Sequence, residues 1–422
     1  MMDFREFVKF LREKEMMVEI KKKVSTKYEI ATLMKKLDGK PLIFSNVEGY
    51  DMPVVANICS TRELVALALQ IRQDKIIKTI ADAISNPEEP GVEDTNYIQL
   101  KSLKDLPILT YYKIDGGPYI ASGIIVANDP EYGLNTSYHR MMVIDDDKVV
   151  IRILQRNFNA YLERGLKEFA ICIGNPMTVL ISSAISAGIE VSELSIANAM
   201  ETTSLTKLDG HPVPKAEVVM IAEMTGEIHD EGPFLDLTET PDIVRKQRVA
   251  KIKKVYARPD TYFHALLPGG LEHKMLMGMP REPTIYNEVA KVCDVKDVYI
   301  TPGGCSWLHG AVSIRKKNAD DGKKAIEAAF KGHKSMKHVF VVDDDIDIHD
   351  PNQIEWAMAT RFQGDRDMAV KKEKGSSLDP SSDLETRETT KIGFDLTIPA
   401  GRDAKDFKKP SLPMDIDPDD YI

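Results

Sequence analysis

Asn135-Thr-Ser-Tyr-His-Arg140 places an amide, hydroxyls, an imidazole and a guanidinium within six residues. A guanidinium can grip a carboxylate at two points, which is what orienting a departing CO2 group requires. Read without chemistry, Arg140 is a surface ion-pair partner and Asn135 a turn residue. A second stretch, Glu231-Gly-Pro-Phe-Leu-Asp236, sets two carboxylates on either side of a Gly-Pro turn. If both enter one cleft, their mutual repulsion raises one pKa and leaves an acid able to deliver a proton at neutral pH. The alternative is a solvated acidic turn, since Glu227, Asp230 and Glu239 lie close by.

Other segments carry weaker signals. Ile171-Cys-Ile-Gly-Asn-Pro-Met177 is an apolar strand running into a helix that Pro176 suits as first residue, and such a start can receive a phosphate. Ser192-Glu193 offers a carboxylate to a hard cation, or simply caps a helix. Asp343-Asp-Asp345 closes an apolar strand, as a magnesium site or as acids capping the next helix. Cys305, in Pro302-Gly-Gly-Cys-Ser306, has no assignable histidine partner, so a buried thiol is expected rather than a nucleophile.

These residues need a scaffold. Phe4, Phe7, Val8 and Leu11 share one helical stripe, as do Ile30, Leu33, Met34 and Leu37 ahead of Gly39. Ser60 or Thr61 suits the N-cap of a third helix. The first ninety residues therefore read as a small α+β unit. From about Tyr97 to Tyr262 short strand-like runs dominate (122–127, 141–144, 149–154, 169–173 and 217–220), which predicts a mainly β barrel or sandwich. From Ile285 helices alternate with strands at 298–300, 310–314 and 338–342, giving an α/β domain. The polar stretch Lys371 to Arg387 reads as a mobile loop or linker.

The chain has 422 residues, enough for two or three packed units. Its net charge of −10 repels phosphate backbones and argues against nucleic-acid binding. Four cysteines without a CxxC pair fit a reduced, cytoplasmic setting. The N-terminus lacks the uninterrupted apolar core of a signal peptide, and no run reaches membrane-spanning length; the longest, around 178–189, is broken by Ser182, Ser183, Ser186 and Gly188.

Taken in order, the segments between about Tyr97 and Pro399 resemble the UbiD-like decarboxylases, and on the archaeal branch of that family most of all. The resemblance implies an α+β / α/β multidomain fold: an N-terminal α+β domain at 1–92, a central split β-barrel flavin-binding domain at 93–284 and a C-terminal α/β oligomerisation domain at 285–422. It implies prenylated FMN as cofactor, supplied by a flavin prenyltransferase, with a divalent metal (Mn or Mg) and a monovalent ion such as K+. Arg140, Glu231 and Asp236 would be catalytic, with Asp236 the proton donor. Asn135, Thr136, Ser137, Tyr138, Arg140, Ser182, Ser183, Glu193 and Lys391 would line the cofactor, and Asn135, Glu193 and Asn157 would hold the metal. Pro302 to Ser306, the Asp343 to Asp347 strand end with Trp356 to Arg361, and Lys391-Ile-Gly-Phe-Asp395 resemble the family's C-terminal signature.

There are two departures. The family's histidine ligand should fall near Arg156-Asn157, where none stands, and Leu235 replaces the glycine before the proton donor. The substrate class implied is an unsaturated carboxylic acid, on the archaeal branch trans-anhydromevalonate 5-phosphate, decarboxylated to isopentenyl phosphate. A phosphorylated substrate needs local positive charge, for which His139, Arg152 and Arg156 are the candidates. The alternatives are a 4-hydroxybenzoate-type or other aromatic acid decarboxylase, a hydrolase using a metal at Asp343 to Asp345, and a flavin-binding assembly protein without turnover. A homo-oligomer is expected.

Overall fold

The computed structural model describes residues 2–383 and 385–408, with 417, 419 and 421 beyond them. The first helix, Phe4–Glu13, starts where it does because the Asp3 carboxylate accepts from Glu6 N while the Glu6 carboxylate accepts from Asp3 N. It buries the expected stripe of Phe4, Phe7, Val8 and Leu11. Glu29–Lys36 follows, then Arg62–Ala68, capped by Thr61 Oγ1 on Leu64 N, and Ile76–Ser85. They surround a four-stranded sheet in the order Val18–Ile20, Leu42–Phe44, Val54–Ala56, Phe263–His264. Its last strand comes from some two hundred residues downstream, a pairing that local patterning does not announce.

The central sheet has nine strands. Its path runs Tyr119–Ile120, Met141–Val143, Lys148–Ile151, Arg245–Ala257, Val218–Glu231, Glu168–Ile173, Ile124–Asp129, Gly133–Tyr138, and Ile98–Leu100 also pairs with Arg245–Ala257. Successive residues of Val218–Ala222 point alternately into two apolar clusters: Val218, Met220 and Ala222 into one, Val219 and Ile221 into the other. Both faces are therefore covered, which explains why these runs read as continuous apolar stretches rather than alternating ones. Each such Val or Ile contributes on the order of 2 kcal/mol by leaving water.

Val218–Glu231 is far longer than the 217–220 run suggested by hydropathy. Beyond Gly226 its side chains are largely exposed, so only pairing with Arg245–Ala257, in the register Val218↔Ala257 and Glu231↔Arg245, keeps the strand going. That polar extension carries Glu231.

The C-terminal sheet runs Asp294–Ile300, His309–Arg315, His338–Asp343, Glu388–Asp395, Met368–Lys374. Arg281–Ala290 and Asp321–Gly332 cover one face around Ile285, Val289 and Ile326, and Pro351–Arg361 covers the other around Ile354 and Ala357. The stretch from Lys371 to Arg387 departs from expectation. Lys371–Lys374 completes an edge strand, and the turn after it is pinned where Trp307 Nε1 donates to Ser376 Oγ (3.0 Å) and Lys337 pairs with Asp379 (3.0 Å). The architecture is a mixed α/β multidomain fold. No described helix is long and apolar enough to cross a membrane.

Candidate active site

Arg140 follows the strand Gly133–Tyr138, and Glu231 ends Val218–Glu231. Ninety-one residues separate them in sequence, yet Arg140 Nε donates to Glu231 Oε1 and Nη2 to Oε2, each at 2.9 Å. The chain after Glu231 folds back as Phe234–Leu235 against Pro241–Asp242, returning two more acids to the same guanidinium. Arg140 Nη1 donates to Asp236 Oδ2 (2.5 Å) and Nη2 to Asp242 Oδ2 (2.8 Å). The turn fits closely: Gly116 N donates to Pro233 O, and a Cβ at Gly116 would lie 2.3 Å from Gly232 O, which leaves room only for glycine.

Glu231 is fully buried and also accepts from Tyr119 OH (3.1 Å), while the Phe234 ring centroid lies 4.7 Å from the Arg140 guanidinium carbon. Burial opposes the charge on Arg140, but the hydrogen bonds and charge of Glu231, with Asp236 and Asp242, outweigh it and hold its pKa above the ordinary value. Burial likewise opposes the charge on Asp242, and Arg245 and Arg140 together hold its carboxyl below the usual range. The expected face-to-face repulsion of two acids is not what the fold builds, because Arg140 contacts both Glu231 and Asp236. Asp236 remains 17% exposed and its Oδ1 accepts from Leu237 N, so it has a route to solvent. His273 senses the charges of both Asp236 and Arg140, and burial lowers its pKa.

Five residues before Arg140, a second cluster forms on the strand Gly133–Tyr138 that leads into it. Glu193, at the start of Glu193–Met200, accepts from Asn135 Nδ2 (2.9 Å) and Thr136 N (2.8 Å). Ser183 Oγ donates to Thr136 Oγ1 (2.9 Å). Burial pushes the Glu193 pKa up to about 8, and Asn135 Oδ1 is buried with no partner among the described residues. A buried oxygen without a donor beside a buried carboxylate with no cationic side chain among the described residues fits a hard positive ion. Ser182 is buried beside Ser183, its hydroxyl on Val179 O. Tyr138 OH donates to Leu180 O, and Ser137 Oγ meets His139 Nε2.

Several expected residues lie elsewhere. Asn157 opens the helix Asn157–Glu163 with its amide toward Ala187 O (3.5 Å) and has no hydrogen bond to Asn135 or Glu193. Among the described residues no group of three His, Cys, Asp or Glu could hold a metal. Lys391 is buried, its Nζ donating to Lys334 O (2.7 Å) and pairing with Glu373 (3.3 Å), and it is not hydrogen-bonded to Ser182, Ser183 or Thr136. His139 is no source of positive charge: burial pulls its pKa down to about 4, and both ring nitrogens are engaged, by Ser137 and Arg152 O.

Asp343 and Asp345 are paired with the buried Arg361, at 3.3 and 2.7 Å, which accounts for them without magnesium. Nor is the helix start after Asn175 an anion site. Its helix has six residues, and the Glu217 side chain packs where a Cβ on Gly174 would go. Leu235 rests its Cδ2 near Gly269, which a Cβ there would approach to 3.0 Å. A depression of about 600 Å³ lined by Asn128, Asp129, Arg164, Lys167 and His211 contains none of the candidate residues. Sequence reasoning missed Asp242, Tyr119 and His273. Asp242 ends the short strand Pro241–Asp242, and nothing in the local pattern ties it to position 140.

The chain matches the 3-octaprenyl-4-hydroxybenzoate carboxy-lyase N-terminal domain over residues 8–84, its Rift-related domain over 87–271 and its C-terminal domain over 274–396. It is 42% identical over 408 residues to the anhydromevalonate phosphate decarboxylase of Methanocaldococcus jannaschii, covering 93% of this chain and 96% of that one. With the enzyme of the same description from Methanothermobacter thermautotrophicus it shares 41% over 411 residues, covering 94% and 96%. Among solved structures, the UbiD-class enzyme HmfF from Pelotomaculum thermopropionicum in complex with FMN superposes with a TM-score of 0.93 at 34% identity, over 99% of this chain and 100% of that one. An evolved dimeric form of HmfF in complex with prFMN gives 0.89 at 32% identity, each chain covered in full. With both carboxylate-bound Arg140 and the Asn135–Glu193 cluster inside the matched region, this chain belongs to the UbiD family of carboxy-lyases.

Proposed function

We propose that this enzyme uses prenylated FMN to decarboxylate trans-anhydromevalonate 5-phosphate to isopentenyl phosphate. The observation that carries the reading is the convergence of Glu231, Asp236 and Asp242 on the Arg140 guanidinium, with the Asn135–Glu193 pair formed from the strand that leads into Arg140. Five extended residues span at most about 18 Å. This suits a molecule with a phosphate at one end and a reactive ring at the other. The names borne by the archaeal relatives favour the phosphorylated substrate over an aromatic acid.

Loss of CO2 from an alkenoic acid leaves an electron pair that side chains cannot hold, and the prenylated flavin supplies the sink for it when bound. The chain's own part is positioning and proton supply. Arg140, with one Nη1 N–H left uncommitted, holds the carboxylate by a single charge-assisted hydrogen bond; Glu231, from its buried side, fixes the plane of that guanidinium. Asp236, the acid with a route to solvent, takes up a proton from there and passes it to the carbon that lost CO2. Asp242 braces the guanidinium from the remaining side. Asn135 Oδ1 and Glu193 would hold a divalent cation, Mn or Mg, and Thr136, Ser182 and Ser183 would bind the cofactor phosphate.

The same reading includes a split-barrel description of the central sheet, a K+-type ion, a homo-oligomer, a flavin prenyltransferase as cofactor supplier and a cytoplasmic setting. The test is CO2 release by protein co-produced with a flavin prenyltransferase, offered the phosphorylated alkenoic acid and 4-hydroxybenzoate separately. Turnover of the first alone is expected. Release from the aromatic acid alone would end the substrate assignment.

A further inference from the structure

Asp236 begins the tip of a short hairpin whose strands pair through Phe234↔Asp242 and Leu235↔Pro241, so residues 236–240 must be held by other means. Within the tip, Glu239 N donates to Asp236 O (2.9 Å) and Leu237 N to Asp236 Oδ1 (2.7 Å), and the Leu237 side chain is buried. Glu239 itself stands in the left-handed region, with φ at 59°, which is unfavourable for any residue with a Cβ. Its carboxylate gives a reason for keeping it there. One oxygen pairs with Lys274 and the other with Lys35, the latter at 3.2 Å.

The two lysines reach the tip from different parts of the chain. Lys274 lies on the helix Leu271–Gly278 and is only 15% exposed. Lys35 lies near the end of Glu29–Lys36, in the N-terminal unit, 204 residues before Glu239. At that same helix end, Asp38 accepts from Leu271 N with both carboxylate oxygens, each at 3.1 Å, and so caps the helix that carries Lys274. Between this helix and the tip runs Gly269. A Cβ there would lie 2.9 Å from Glu239 Cγ and 3.3 Å from Asp236 O, so the tip rests directly on that backbone. Lys274, then Lys35, hold the Glu239 carboxyl below its usual range. A single exposed ion pair fixes little, but here one carboxylate joins two cations on two helices that are themselves tied through Asp38.

We infer that the N-terminal unit positions the proton donor: Lys35 and Asp38, acting through Glu239, Lys274 and the helix Leu271–Gly278, hold the hairpin tip from which Asp236 faces Arg140. These four are positioning residues. Asp236 has to leave its bond to Arg140 to reach a substrate carbon, and a tip fastened at Glu239 confines that motion to the side chain. The inference rests on the proposed function for the donor role of Asp236, whereas the fastening is read below without cofactor or substrate.

Wild type is compared with E239Q, K35M and a control, K36M, which removes the neighbouring exposed lysine of the same helix. All three positions are exposed, so the variants fold. Backbone amide hydrogen exchange is followed in peptides covering 232–242 and 218–230. E239Q and K35M are expected to speed exchange at 232–242 about tenfold and leave 218–230 at wild-type rates. In protein co-produced with a flavin prenyltransferase, the same two variants should lose about tenfold in kcat with KM within about twofold. Their solvent deuterium isotope effect on kcat should rise, because proton delivery becomes the slower step. K36M should match wild type throughout. Unchanged exchange at 232–242 would overturn the inference whether or not any acid is turned over. Faster exchange with kcat and isotope effect unchanged, or the same losses in K36M, would overturn the positioning role. A wild type that exchanges as expected but decarboxylates no acid would instead remove the proposed function and leave the fastening in place.

Discussion

Arg140 and Glu231 meet in a two-point pair, both hydrogen bonds 2.9 Å long, with the carboxylate fully buried and the guanidinium nearly so. A buried pair of this kind contributes orientation more than stability, because desolvation offsets much of its attraction. Its use is to hold Arg140 in one fixed plane, in which its single uncommitted N–H is presented.

Glu231→Gln keeps the shape of the side chain and removes its charge. We expect kcat to fall by roughly a hundredfold or more, as for loss of a preorganised electrostatic partner, with the circular dichroism spectrum retained. Arg140→Ala leaves Glu231 buried and unpaired, which should add a destabilisation of about 3–5 kcal/mol to the loss of turnover. Near-normal kcat in either variant would remove both residues from the mechanism.

Asp242→Asn weakens one of three acids on Arg140 and also frees Arg245, which lies 2.6 Å from the other Asp242 oxygen. Because the Glu231 pair survives, the expected drop in kcat/KM is about tenfold, less than for Glu231→Gln. Steady-state kinetics of the two variants side by side would show whether Asp242 is a brace or an equal partner.

Glu193 gives a pH signature. Its folded pKa of about 8 lies above the unfolded value near 4.5, burial being the cause. The folded state therefore holds this proton more tightly than the unfolded chain. Stability of metal-free protein should fall as pH rises from about 4.5 to 8, by up to about 1.4 kcal/mol per pH unit from this group, and level off above. Glu193→Gln should lose that slope and melt several degrees above wild type at pH 9, on the order expected for a few kcal/mol. Added Mn2+ should raise the wild-type melting temperature at pH 9 and leave the variant unmoved. Thermal melts at pH 5 and 9, with and without Mn2+, decide it.

Arg361→Ala separates the two acid-rich regions. Burial raises the Asp343 pKa while Arg361 opposes that shift, so truncation strands a half-desolvated carboxylate. A destabilisation of about 3 kcal/mol is expected, with activity per folded molecule unchanged, measured by denaturant melts and by the decarboxylase assay. Loss of kcat at full folding would return Asp343 to the chemistry.

The stripe of Phe4, Phe7, Val8 and Leu11, the cap at Thr61 and the apolar strands around 169–173 were legible because they rest on residues within one or two turns or pleats of each other. So were the two chemical segments themselves, since the residue types needed at 135–140 and 231–236 are written there. Less was legible where polar residues extend a strand. Val218–Glu231 continues past Gly226 only because Arg245–Ala257 lies beside it, and Lys371–Lys374 forms an edge strand for the same reason.

What the sequence alone determined is the inventory: an acidic chain with a mainly β central region between an α+β unit and an α/β domain, with an arginine and carboxylates of the right kinds. What only the tertiary structure decided is the company they keep: Asp242 beside Arg140, Arg361 beside Asp343, and Arg281 facing Arg156 across Ser186. These partners lie from 18 to more than 120 residues apart. A charge is neutralised by whatever the fold brings within a few ångströms, and that distance is set by sheet register and loop path rather than by spacing along the chain.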